Sequence, residues 1–153
     1  MELFFLGSDN TTLSINFDEA SFTKANSVSQ LKGACSSCLF NLTSPFVNSM
    51  YSCIIDMDEL SAFYESISSF LSLNADFALF SSHDNLFYLK FIRNNGSIQC
   101  EYGFNQFQSP RTHVMVLFYS DEIQVSNCKK ELAYLFSRIN NNLYDKRLFT
   151  KWW

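Results

Sequence analysis

The sequence predicts an α+β fold, an antiparallel β-sheet with two amphipathic α-helices in a single domain. Three observations predict it. Short stretches alternate apolar and polar residues, as half-buried strands do. Two longer stretches repeat their apolar residues every three or four positions, as one face of a helix does. The helical stretches close runs of strands instead of alternating with single strands, which separates this class from parallel α/β folds.

Taken in order, Thr11 to Phe17, Ser36 to Leu42 and Val47 to Ile55 read as strands, with Ser44-Pro45 breaking the last two apart. In the third, Val47, Ser49, Tyr51, Cys53 and Ile55 share one face. A helix is expected between Asp56 and Leu73, because Leu60, Phe63, Tyr64, Ile67, Phe70 and Leu71 fall on one stripe. Asp56 is its N-cap, with Glu59 three residues on as the capping-box partner; Asn74 is the expected stop. Four strands should follow. Asp76 to Ser81 is short and aromatic, and Asn85 to Arg93 puts Phe87, Leu89 and Phe91 on one face. Asn95-Gly96 accepts the positive φ angles of a two-residue hairpin turn. The return strand places Ile98, Cys100, Tyr102 and Phe104 on one face, and after a polar loop His113 to Tyr119 is apolar on both faces, the pattern of a central strand. The closing helix runs from about Val125 to Asn140, with Cys128, Leu132, Leu135, Phe136 and Ile139 inward and Asn140-Asn141-Asn142 as its end. The aromatic and basic tail, residues 143–153, is expected to fold back over the core, or else to present Trp152 and Trp153 to a partner.

Composition bounds the function. At 153 residues the chain is one ordinary domain, residues 1–153, long enough to bury roughly 70% of its unfolded surface. Eleven Lys and Arg against fifteen Asp and Glu give a net charge of −4, so the chain's own field repels phosphate backbones and attracts basic proteins. No nucleic-acid partner is expected. No apolar run approaches a membrane span, and Met1-Glu2-Leu3-Phe4-Phe5-Leu6 lacks the basic start and long apolar stretch of a signal peptide. Five cysteines, an odd number, suit a reducing cytosol, so a cytoplasmic location is expected.

Little in the sequence is arranged for chemistry. Cys35-Ser-Ser-Cys38 has the spacing of a zinc knuckle or a redox pair, but Cys53, Cys100, Cys128, His83 and His113 are scattered singly, and a strand-like sequence follows Cys38 where a redox pair would need a helix N-terminus. His83-Asp84 could be half of a triad, yet no Gly-x-Ser-x-Gly elbow accompanies it. The acidic cluster Asp56, Asp58 and Glu59 is accounted for by a helix N-terminus. The expectation is therefore no enzyme, no metal and no cofactor.

The order of elements from Val47 to Asn140 resembles the WapI-type immunity proteins, which protect bacteria from the toxic C-terminal domains of wall-associated and contact-dependent inhibition toxins. The resemblance is carried by Asp58-Glu59-Leu60-Ser61-Ala62-Phe63 after a strand that ends in an acid. Phe77 to Phe80, Leu86 to Phe91, Gly96 and Ile98 to Tyr102 then follow in that order. Val114 to Phe118, Asp121 and a final helix over Leu132 to Ile139 complete it. Residues 1–46 and the tail have no counterpart in it. The resemblance implies a cytosolic antidote, monomeric in a 1:1 complex, that binds and neutralises one cognate toxin domain, often a nuclease. On that reading a basic toxin meets an acidic surface, and Asp58, Glu59, Glu65 and Asp84 are the candidate contacts, each equally readable as an ordinary solvated charge. The alternative is a non-catalytic adaptor or scaffold with an exposed aromatic patch. A third reading, an enzyme using Cys35 or His83, would need a thiol of unusually low pKa.

Overall fold

The computed structural model describes the chain except for residues 8, 26, 83–86, 107–111 and 150–153; residues 28, 105–106, 112–114 and 142–149 are described through their backbone. Two strands open the chain, β1 (Glu2–Leu6) and β2 (Thr12–Phe17), followed by two short helices, α1 (Ala20–Thr23) and α2 (Val28–Lys32). Then come β3 (Cys35–Thr43), β4 (Asn48–Asp56) and α3 (Met57–Leu71). The second half is β5 (Phe77–Ser81), β6 (Phe87–Asn94), β7 (Ser97–Gln106), β8 (Thr112–Ser120) and α4 (Glu122–Phe149). The strands form two separate four-stranded sheets, β1-β2-β3-β4 and β5-β6-β7-β8, each antiparallel and each followed by a helix. The α+β class holds.

Alternation decides what faces inward. Leu3 and Phe5 of β1, Leu13, Ile15 and Phe17 of β2, and Cys38, Phe40 and Leu42 of β3 are buried, and so are Phe87, Leu89 and Phe91 of β6 and Ile98, Cys100 and Tyr102 of β7. These faces meet through aromatic rings. Phe40 and Phe87 have ring centroids 3.8 Å apart, and Phe5 and Phe91 5.2 Å. Tyr51 stacks on both Phe87 and Phe104. Helix α3 adds Leu60, Phe63, Ile67 and Phe70 to the same core, with Phe63 against Phe80 at 5.3 Å, and α4 adds Val125, Cys128, Leu132, Leu135 and Ile139. One continuous apolar cluster thus spans both sheets and both long helices.

Local signals set the element ends. Asn95 and Gly96 take φ of 48° and 86°, the turn anticipated from Asn-Gly, and close the pair Asn94–Ser97. Helix α3 ends at Leu71, three residues before Asn74. The amide of Asn74 donates to the Ser69 carbonyl at 2.9 Å and that of Leu73 to Phe70 at 3.2 Å, a Schellman ending. Its left-handed residue is Leu73, φ 62°, where glycine is usual. Asp121 caps α4 by accepting from the Gln124 amide at 2.9 Å, which starts the helix earlier than Val125.

Four expectations change. Met1 to Leu6, read only for what it lacked as a signal, contains an edge strand, Glu2–Leu6, with the burial alternation of β2. Helices α1 and α2 were not foreseen; each is too short to show a helical period. β8 is an edge strand, not a central one, because it pairs with β7 alone; Met115, Leu117 and Tyr119 on its outer face stay about half exposed. Finally, α4 does not stop at Asn140-Asn141-Asn142 and continues as helix to Phe149, so residues 143–149 extend the helix instead of folding back. Asn disfavours a helix interior by well under 1 kcal/mol per residue, too little to end a helix already propagating. Trp152 and Trp153 lie outside the described residues.

Two substitutions test this account. Phe40→Ala should cost about 3–5 kcal/mol in urea unfolding, since it opens a cavity where the sheets meet. Leu73→Gly should raise stability by about 1 kcal/mol, relieving a left-handed leucine whose side chain is 74% exposed; an unchanged or lowered midpoint would count against the strain.

Candidate functional site

The site is built from the first turns of α3 and the adjacent edge of β5. Asp56, last residue of β4, caps α3: its carboxylate accepts from the Glu59 amide at 2.8 Å, and the Glu59 carboxylate accepts from the Asp56 amide at 2.8 Å. The capping box read from sequence is therefore formed, and it uses Glu59, which is 7% exposed. Asp58 points the other way. It shares with Ala62, Glu65 and Ser69 the exposed face of α3, at spacings of four, three and four residues. Two carboxylates thus stand seven residues apart on one solvent-facing stripe.

Beside this stripe runs β5, the outer strand of its sheet. Its free edge is met by α3: the Leu79 amide donates to Ser66 Oγ at 2.9 Å, satisfying a backbone group that an edge strand otherwise leaves open. Between helix and strand lies a groove of about 360 Å³ lined by Asp58, Glu59, Ala62, Phe63, Leu79, Phe80 and Ser81. Its floor is apolar, from Phe63 and Phe80, and Leu79 is 37% exposed at its wall. One exposed carboxylate beside apolar surface suits a long cationic side chain, whose methylene stem lies along Leu79 and Ala62 while its charged head reaches Asp58. The same helix end also offers a favourable potential to the acids it already carries, which offsets part of their mutual repulsion.

Of the four acidic residues singled out from sequence, Asp58 and Glu65 share this face, Glu59 is committed to the cap, and Asp84 lies outside the described residues, as does His83. Sequence reasoning did not find Leu79, Ser66 and Ser81. A signal existed, since Phe77, Ala78, Leu79 and Phe80 are apolar on both faces of one short strand; the core takes Ala78 and Phe80, which leaves Phe77 and Leu79 on an exposed apolar face.

The Cys35-Ser-Ser-Cys38 spacing falls within β3, where side chains alternate, so Cys35 is exposed on the outer face and Cys38 is buried on the inner one. The two thiols cannot share a metal or a bond. Among the described residues no group of three His, Cys, Asp or Glu is placed to hold a metal ion. Burial alone pushes the Cys100 thiol up to about 12, and Cys128 higher still, with Glu131 adding to it. Both are therefore uncharged at neutral pH.

The cap and the stripe are separable. Glu59→Ala should lower stability by about 1 kcal/mol while Glu59→Gln, which still accepts at the same place, should lower it little. Asp58→Asn should leave the thermal midpoint within a degree or two; a large drop there would mean that Asp58 is structural too. Scans of protein-family models, of the curated proteins and of the solved structures each found no match to this chain.

Proposed function

We propose that this chain is a non-catalytic inhibitor of the immunity-protein type, which binds a basic toxin domain through the acidic stripe and groove of α3 and so keeps the toxin from its substrate. The observation that carries the proposal is the stripe Asp58–Ala62–Glu65–Ser69 beside an apolar groove, on a chain of net charge −4. The resemblance of the order of elements from Val47 to Asn140 to that of WapI-type immunity proteins supports the same reading. Complementary charge speeds the encounter of such partners, and an anchor seated in a groove governs how long the complex lasts.

A second reading rests on a different surface. Met115, Leu117 and Tyr119 project from the outer face of β8, an edge strand whose described residues include no charge, and such a row suits apolar association in an adaptor. Salt separates the two, because only the charged interface weakens as ionic strength rises.

The test is titration of the chain against the toxin domain encoded immediately upstream in its genome, at low and at physiological salt. Tight 1:1 binding that weakens with salt is expected, and Asp58→Lys with Glu65→Lys should slow association by about tenfold at low salt. Binding that ignores both substitutions and salt would move the interface to β8. No binding at micromolar concentration would remove the inhibitor reading for that pair.

A further inference from the structure

The remaining chemistry lies between β3 and β4. Cys38 and Cys53 are directly opposite one another in the β3–β4 ladder, and both side chains lie on the inner face, Cys53 in line with Tyr51 and Ile55. Directly opposed residues of an antiparallel pair have Cα atoms about 4.5–5.5 Å apart. That falls inside the window of about 4.4–6.8 Å that a disulfide requires. No other two cysteines are so placed among the strand pairings: Cys35 faces Asp56 across the ladder and points outward, Cys100 faces Phe91 and Phe118, and Cys128 is on α4. We propose that Cys38 and Cys53 form a reversible, oxidant-made cross-strand disulfide, with Cys53 the thiol that meets the oxidant and Cys38 the one that resolves it.

The division of roles follows from exposure. Cys38 is 1% exposed, whereas Cys53 sits on the outer strand of its sheet and is only half-buried. A small peroxide therefore reaches Cys53 first. The Cys53 sulfur attacks one peroxide oxygen, the O–O bond breaks, and the departing oxygen leaves as water once it has taken a proton, giving a sulfenic acid at Cys53. The Cys38 sulfur then attacks the Cys53 sulfur, the S–O bond breaks, and the hydroxyl leaves as a second water with the proton from Cys38. Two thiols lose two electrons in all, and one peroxide is reduced to two waters. Until then the Cys38 proton is held in place, first by its contact with the Cys53 sulfur and then by burial. The resolving thiol stays intact while its neighbour is unmodified. Such a bridge ties the outer strand β4 to β3 three residues before the Asp56 cap of α3. This inference is independent of the inhibitor reading.

The experiment uses the full chain carrying Cys35→Ser, which removes the exposed thiol and with it the readiest route to coupling between molecules. The folded protein is treated with hydrogen peroxide near neutral pH, free thiols are blocked in denaturant, and peptides are mapped by mass spectrometry. The expected result is the loss of two thiols per chain, one linked pair of peptides containing Cys38 and Cys53, and full recovery with dithiothreitol. Cys53→Ser in the same background should lose no thiol at the same peroxide dose. This second variant replaces a half-buried side chain by one of similar size, so its far-ultraviolet circular dichroism should match the parent's. Oxidation that stops at Cys53 without joining Cys38, linkage to Cys100 or Cys128, or an unchanged thiol count would each overturn the proposal.

Discussion

The two sheets share no ladder, so their relation rests mainly on apolar contact between their faces, with Phe40 and Phe87 ring centroids 3.8 Å apart, and on Ser120 Oγ donating to the Leu6 carbonyl at 3.0 Å. Within each sheet, backbone hydrogen bonds fix strand to strand; between the sheets, only side chains can. Aromatic rings suit this task because each removes a large area from water and orients against its neighbours. Ten of the seventeen phenylalanines are buried among the described residues, drawn from both sheets, α1 and α3. Ring contacts between the sheets, from Phe40–Phe87 at 3.8 Å to Phe40–Phe80 at 6.1 Å, help to fix how one sheet sits over the other.

The helices close what the sheets leave open, and a single arginine ties them at one end. Arg93, near the end of β6, donates to the Phe70 carbonyl at 3.0 Å, stacks over the Phe70 ring at 4.5 Å and pairs with Glu122 at 3.1 Å. A cation therefore sits at the C-terminus of α3 and an anion at the N-terminus of α4, the arrangement both helix dipoles favour. Much of its value is positional, since Arg93 and Glu122 are 32% and 59% exposed and surface ion pairs contribute little on their own. Midway along α4, Arg138 reaches Glu19 at 2.8 Å beside α1. The same framework holds the candidate docking face: α3 is capped at Asp56, latched to β5 through Ser66, and free along Asp58 and Glu65.

Much of the fold was legible because its signals are local. The stripe Leu60–Phe63–Ile67–Phe70 marks a helix whatever surrounds it, Asp56 with Glu59 marks its start, and Asn95-Gly96 marks a hairpin. The inward faces of β4, β6 and β7 followed from alternation alone. The failures have one cause. His113 to Tyr119 is apolar on both faces, and alternation cannot say whether a neighbouring strand or a solvent boundary lies beside it. Asn140-Asn141-Asn142 looked like an end, although no local rule forbids a helix from passing through three asparagines. The candidate site was half legible: the acids of α3 could be placed on its faces, while the groove needs β5.

The sequence by itself determined the α+β class, most of the elements and which side of each must be buried, because period, capping and turn chemistry act over a few residues. Only the tertiary structure decided that eight strands divide into two sheets, that α3 seals the edge of β5 and that Glu59 is spent on a cap while Asp58 is not. It also decided that Cys38 belongs with Cys53, fifteen residues away, and not with Cys35, three residues away. Strand alternation turns neighbours three apart to opposite faces, and antiparallel pairing brings distant residues together. Register is set by the whole ladder and the core it buries, not by spacing along the chain.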